Sequence, residues 1–251
     1  MEQDKTEGYR RKGQAGSRQG HIPLSLGVAT ETGYAGTCPV PVPLATTPRY
    51  SLELDLTDRR VLVVGLGQVG RRKVEGLIAA GANILAVDPA PSGEVPDAIK
   101  LLIEPYRADH LSEVALAFAT ATSDVNRRVV ADAQERGIWV NSASNPDKGD
   151  FFVPASWHDG PISLAVSTSG ASPALAAALR DRAAIAIGPG AAVLAGVLIE
   201  LRAEVLQEIR DPLKRRRILS SWDAPEWLKL AETETAESLR KALRACMTVL
   251  M

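Results

Sequence analysis

Gly65-Leu66-Gly67-Gln68-Val69-Gly70 is the segment whose residue types and spacing most directly specify chemistry. Behind an apolar run and ahead of a helical pattern, three glycines spaced in this way form a GxGxxG turn suited to a dinucleotide diphosphate. Gly65 permits the tight turn, Gly67 lets the backbone approach the phosphates, and Gly70 lets the helix lie close to its strand. The helix N-terminus then offers unpaired N–H groups to the anion, with Gln68 and Val69 against the diphosphate. Asp88 ends the next apolar run, roughly 20 residues on, where a carboxylate accepts both ribose hydroxyls. That carboxylate favours NAD over NADP, and Pro89 and Ala90 would line the adenosine. Arg71 and Arg72 pull the other way, because either could reach a phosphate. The alternative is that the glycines merely shape a turn in a protein that binds nothing.

A second set of polar residues belongs to the carboxyl ends of later strands, where a doubly wound sheet takes its ligand. Thr120 and Thr122 follow one apolar run and suit cofactor contact. Asn141 follows another, and both it and Asn126 could orient a ligand through amide hydrogen bonds or serve as turn and cap residues. Ser169-Gly170-Ala171-Ser172 precedes Pro173 and reads as a helix start and anion cradle, to which Ser167, Thr168 and Arg180 could add donors.

These residues require a particular scaffold. Arg60–Gly65 reads as a buried strand and Gln68–Ala80 as a helix that Gly81 stops. Ile84–Asp88 and Ile99–Tyr106 read as strands, and Asp109 as the cap of a short helix. Ala115–Ala121 reads as a fourth strand, Asp124–Arg136 as a helix and Ile138–Asn141 as a fifth strand. Such alternation predicts an α/β fold with a Rossmann-type parallel sheet. The pattern then changes: Phe151–Trp157 and Pro161–Thr168 flank His158-Asp159-Gly160 and read as a hairpin or paired extended arms. An alanine-rich helix begins after Ser172, and residues 189–251 are helical in composition, with a basic run at Lys214–Arg217.

The expected organisation is a disordered leader over residues 1–48, a nucleotide-binding domain over 49–150, an arm region over 151–200 and a helical domain over 201–251. The leader is rich in Gly, Thr, Pro and Gln and lacks any period, so it can bury little. Its Lys5, Arg10, Arg11, Lys12 and Arg18 are not followed by an apolar run of signal-peptide length. With 29 basic and 30 acidic residues in 251, net charge gives no reason to expect nucleic acid or an anionic membrane as partner. Cys38 and Cys246 have neither metal-type spacing nor a disulfide framework, which suits a reducing cytoplasm.

Residues 50–82 (YSLELDLTDRRVLVVGLGQVGRRKVEGLIAAGA), 119–129 (ATATSDVNRRV) and 151–182 (FFVPASWHDGPISLAVSTSGASPALAAALRDR) together resemble the precorrin-2 dehydrogenase (sirohaem synthase) family. The most specific part is the last, a phenylalanine-rich strand, a turn, an apolar strand and an S-x-S-G-x-S-P helix start in order. Gly70-Arg71-Arg72-Lys73, directly after the glycine loop, is also typical of the family. The resemblance implies an NAD-binding domain, a dimerisation region of interlocking arms and helices, and a small helical domain. It further implies NAD-dependent oxidation of precorrin-2 to sirohydrochlorin, an oxidoreductase reaction at a CH–CH bond in tetrapyrrole biosynthesis. Ferrous iron insertion accompanies this in some members, and the partner is a second copy of the chain. Fused members add a methyltransferase domain, for which 251 residues leave no room. In bifunctional members a serine at the position of Thr168 is phosphorylated; threonine stands there in this chain.

One departure bears on chemistry. The family carries an aspartate after the fifth strand, in a segment like N-V-x-D-x-P. This chain has Asn141-Ser142-Ala143-Ser144-Asn145-Pro146-Asp147, which aligns Ser144, then Asn145, with that position. Neither is a base near neutral pH unaided. Asp147 or Asp150 could supply the charge, hydride transfer could proceed with little help from a base, or activity could be lost. Iron insertion suffers most, no metal ligand is identifiable, and His158 is a lone turn histidine. Besides the dehydrogenase, two alternatives stay open: a non-catalytic NAD- or tetrapyrrole-binding relative, and a regulatory nucleotide-sensing domain.

Overall fold

The computed structural model describes residues 49–222 and 225–250, so the expected leader, with Cys38, lies outside the described residues. Five short apolar segments form the sheet: β1 (Arg60–Val64), β2 (Asn83–Val87), β3 (Lys100–Leu102), β4 (Leu116–Ala119) and β5 (Trp139–Ser142). All pair in parallel in the order β3-β2-β1-β4-β5, with Val64 opposite both Val87 and Ala119. A fully parallel sheet needs cover on both faces, and β1 supplies apolar side chains to each. Val61 and Val63 pack with Val74 and Leu77 of α1 (Gln68–Ala79), whereas Leu62 and Val64 pack with Val129, Val130 and Ala133 of α2 (Ser123–Glu135).

Two expectations shift here. The third strand is only three residues long, because the chain leaves the sheet after Leu102 and buries Tyr106, whose hydroxyl donates to Asp132 of α2 at 2.9 Å. The short helix is a 3₁₀ turn, Ala108–Leu111, capped by Arg107 and not by Asp109. The Arg107 backbone N–H donates to His110 Nδ1, and the His110 ring and Arg107 both bond Glu104, holding its carboxyl below the usual carboxylate range.

Beyond β5 the chain forms an antiparallel hairpin of β6 (Ala155–Asp159) and β7 (Ile162–Val166), turning at Gly160 with φ +52°. Inward and outward residues alternate along both strands, and α3 (Pro173–Ile187) packs across them. Four more helices follow: α4 (Gly190–Glu208), α5 (Pro212–Ser220), α6 (Pro225–Ala231) and α7 (Ala236–Leu250). The boundary expected at residue 200 falls inside α4, a continuous helix whose Leu194, Val197, Leu201 and Val205 share one core with Ile218, Leu239 and Leu243. Gly190 is fixed by packing, since a Cβ there would strike the Ala231 backbone. Among the described residues no single helix is long and apolar enough to cross a membrane; α3 and α4 together are, but they are bent by 69° at their junction.

Candidate functional site

The order of the sheet puts a crevice at the carboxyl ends of β1 and β4, where successive connections leave in opposite directions. Gly65 sits there in the left-handed region, with φ +93°. A Cβ at this position would lie 2.7 Å from the Ala121 backbone, so only glycine lets the turn pass the loop after β4. Gly70 faces the same turn, and a Cβ on it would run into the Gly65 carbonyl oxygen. Gly67 differs from both. It is exposed, it caps α1 without any side-chain hydrogen bond, and a Cβ built on it meets nothing within 4 Å. The first N–H groups of α1 therefore open onto free space, with Gln68 and Val69 exposed beside them.

Asp88 stands one residue past β2 and fixes this turn. Its Oδ2 accepts from the Leu66 N–H at 2.6 Å and its Oδ1 from the Ala90 N–H at 2.9 Å. Each carboxylate oxygen keeps lone-pair capacity for a further donor. Pro89 and Ala90 are exposed next to it. Arg71 folds over the following loop, bonding the Glu94 carbonyl through Nη1, while its buried Nη2 has no partner. Lys73, one turn into α1, is pushed below the usual lysine value by burial first and by Arg72 second.

The loop after β4 is tied down from both sides. Thr120 is buried, and its hydroxyl reaches the Val64 and Gly65 carbonyls at 3.0 and 2.7 Å, so this side chain serves the turn rather than solvent. Thr122 caps α2 with its hydroxyl exposed and unbonded in the cap. Asn126 is buried and satisfies the backbone of Ala121 in both directions, accepting from its N–H at 2.9 Å and donating to its carbonyl at 3.1 Å. The same amide also donates to Ser144 Oγ at 3.1 Å. One side chain thus links the glycine turn's neighbour to the loop after β5. Sequence reading had Asn126 only as an orienting or capping residue, because its bonds to Ala121 and Ser144 are invisible to local pattern.

Ser144 and Asn145 lie exposed at the end of that loop, and Asp147 is exposed in the turn Pro146–Lys148. Asp150 is engaged elsewhere: it accepts from the Val140 N–H at 2.9 Å and from Gln134 at 3.2 Å, locking the edge of β5. Of the two nearby aspartates, only Asp147 keeps its carboxylate free. Asn141 donates to the Phe151 carbonyl at 2.9 Å and so ties the sheet to the segment leading into the hairpin, where Phe151 stacks edge-on against Phe118.

The other expected anion cradle has a different character. Ser169 and Gly170 take positive φ, +53° and +86°, and Ser172 caps α3 by accepting from the Leu175 N–H at 3.2 Å. Thr168 brackets Ser172, donating to its carbonyl and accepting its N–H, while Ser167 accepts from the Ser169 N–H. Arg180 forms a two-point contact with Asp181. His158 is exposed on β6, and among the described residues no group of three or more His, Cys, Asp or Glu side chains could hold a metal ion.

Comparison with known proteins gives consistent results. Residues 52–155 match the family model described as "Putative NAD(P)-binding", and residues 159–182 match that of the sirohaem biosynthesis protein central region. The chain is 32% identical to the sirohaem synthase of Tolumonas auensis over 188 residues, covering 73% of this chain and 40% of that one. It is 39% identical to the sirohaem synthase of Nitrosomonas europaea over 171 residues, covering 65% of this chain and 36% of that one. The chain thus spans about two fifths of the length of the curated relatives it matches. Among solved structures, SirC, a precorrin-2 dehydrogenase, superposes with a TM-score of 0.64 over 78% of this chain and 100% of its own, at 24% identity, which establishes the shared fold.

Proposed function

Since the chain belongs to the sirohaem synthase family, we propose that it is an NAD-dependent dehydrogenase that oxidises precorrin-2 to sirohydrochlorin. The observation that carries this reading is the uncapped start of α1, open to space at Gly67 and set at the crevice of a doubly wound sheet. NAD, when bound, supplies the hydride acceptor. The chain's own part is binding and orientation, which can account for most of the acceleration in such a reaction. Gly67, Gln68, Val69 and the α1 N–H groups hold the diphosphate. Asp88 accepts the ribose hydroxyls with its remaining lone pairs and disfavours a 2′-phosphate by like charge. Thr122 faces the same crevice, and Thr120 acts by keeping the Gly65 turn in place.

Ser144, Asn145 and Asp147 border the substrate side. Of the three only Asp147 is a carboxylate, so it takes up a proton released as conjugation extends, while Ser144, held by Asn126, orients the macrocycle edge. The substrate's carboxylates meet the backbone and hydroxyl donors of Ser167–Ser172, together with Asn141 and an Arg180 that exchanges Asp181 for substrate. The protein works as a homodimer in the cytoplasm. Residues 49–150 form its NAD domain, and the dimer is held through 151–200, where Leu175, Leu179 and Ile185 of α3 are 50, 42 and 82% exposed. Ferrous iron is a second substrate only if Asp147 replaces the family aspartate.

Mixing the protein with anaerobic precorrin-2 and NAD should raise sirohydrochlorin absorbance above the uncatalysed rate. A flat trace, with NAD binding intact by calorimetry, would favour the second reading that Ser144 motivates: a relative that binds cofactor and macrocycle without turnover.

A further inference from the structure

The basic run Lys214–Arg217 belongs to neither the glycine turn nor the arms, and it lies on α5. From Ile209 to Trp222 the chain has five cations, Arg210 and Lys214 to Arg217, and one acid, Asp211. That acid caps α5, its carboxylate accepting the Leu213 and Lys214 N–H groups. The three acids of α4 lie towards another neighbour: Glu200 and Glu204 pair with Arg240 and Arg244 of α7, and Glu208 adds its charge to those that favour the protonated Arg244. Among the described residues charge is therefore segregated around α4, and the side facing α5 carries the arginines.

On that side Arg202 of α4 and Arg215 and Arg216 of α5 line a groove of about 410 Å³ together with Leu206, Pro212 and Leu219. Among the described residues no carboxylate lines it, and none of the three guanidinium groups has a salt-bridge partner. Like charges held together in this way repel one another unless an anion joins them. The groove is shallow and open, with room for one edge of a small molecule. Guanidinium forks match carboxylates two-point, and the leucine and proline side chains offer contact to an apolar frame.

We propose that the groove between α4 and α5 is a second ligand site, in which Arg202, Arg215 and Arg216 take the carboxylate-fringed edge of a macrocycle that rests on Leu206 and Leu219. The carboxylate macrocycle as ligand class rests on the reaction proposed above; the anion site itself does not. A dockable edge here, on the helical bundle, gives the substrate or product a holding point separate from the glycine turn.

Uroporphyrin, a stable macrocycle with acetate and propionate arms, is the probe, followed by its fluorescence with the full-length protein. Replacing Arg215 and Arg216 together by Gln should weaken uroporphyrin binding about tenfold or more and lower its salt dependence, while NAD affinity by calorimetry stays unchanged. Arg202→Gln alone should give a smaller loss in the same direction. Uroporphyrin binding unaltered by these substitutions overturns the site. Displacement by inorganic pyrophosphate or by a poly-glutamate peptide at concentrations matching uroporphyrin overturns the macrocycle assignment. If the protein fails to bind NAD or to turn over precorrin-2 yet holds uroporphyrin through these arginines, the proposed reaction fails and the anion site stands. Turnover without arginine-dependent binding is the reverse.

Discussion

Two helix starts in this protein look alike in sequence and differ in what they leave undone. Both α1 and α3 follow a turn rich in glycine or serine. At α3, Ser172 accepts the Leu175 N–H, Thr168 brackets Ser172 from both sides, and Ser167 takes the Ser169 N–H. At α1, Gly67 offers no side chain, and nothing within 4 Å would meet a Cβ there. A helix N-terminus has four N–H groups without partners inside the helix. At the first of these ends Pro173 has no N–H to satisfy and Ser172 takes that of Leu175, whereas the second has no side-chain cap and waits for an acceptor. Openness of the backbone donors, more than the presence of serines and glycines, therefore marks where the diphosphate belongs.

The sharpest way to break this contrast is within the glycine turn itself. Gly70→Ala drives a methyl group into the Gly65 carbonyl, where backbone must move, so a stability loss of roughly 3 kcal/mol is expected, with a matching fall in Tm. Gly67→Ala meets no atom of the protein, and its Tm should stay within the range of neutral surface changes, while NAD affinity by calorimetry falls about tenfold. Should both variants lose stability and binding together, the turn is merely structural.

Next in size is the link between the loops. Asn126→Ala leaves the Ala121 N–H and carbonyl without partners in a buried setting, which costs about 2 kcal/mol. Chemical denaturation measures the loss. Because Ser144 loses its donor in the same step, precorrin-2 turnover should fall more than NAD affinity does.

How far all this was legible follows from where the bonds run. The apolar runs of β1 and β2, the helix between them and the acid at residue 88 were readable because strand, turn and helix signals are local. The third strand was overextended because nothing near Tyr106 announces Asp132, 26 residues on, as its partner. Asp109 was preferred as a cap on residue type, and the ring of His110 decided otherwise. Thr120 sat at the right edge, yet its hydroxyl is spent on Val64 and Gly65, a tertiary bond no period encodes. Asp150 was one of two candidate charges until its bond to the Val140 N–H set it apart from Asp147. The arginine groove could not be read at all without knowing that α4 turns its glutamates to α7.

The substitution that sharpens the catalytic side is Ser144→Asp. Asn126 Nδ2, 3.1 Å from the serine oxygen, can donate to a carboxylate there, and the position is exposed, so the charge is not buried. Turnover of precorrin-2 should rise by about tenfold, equivalent to about 1.4 kcal/mol of barrier. No rise, together with a loss on Asp147→Asn, would assign the proton to Asp147 alone.

Ser172→Ala closes the comparison from the other helix, with the smallest effect. Removing a serine cap costs about 1 kcal/mol, and the Leu175 N–H it served is exposed and can turn to water. Because the Thr168 bonds to the Ser172 backbone survive the change, the turn should keep its shape. NAD affinity should not move, since α1 is untouched. The informative quantity is KM for precorrin-2. A rise at constant kcat would mean that the cap hydroxyl leaves Leu175 to meet a substrate carboxylate, giving both helix starts a ligand. An unchanged KM would mean that α3 is complete without one, and that the difference between the two helix starts is a difference of function.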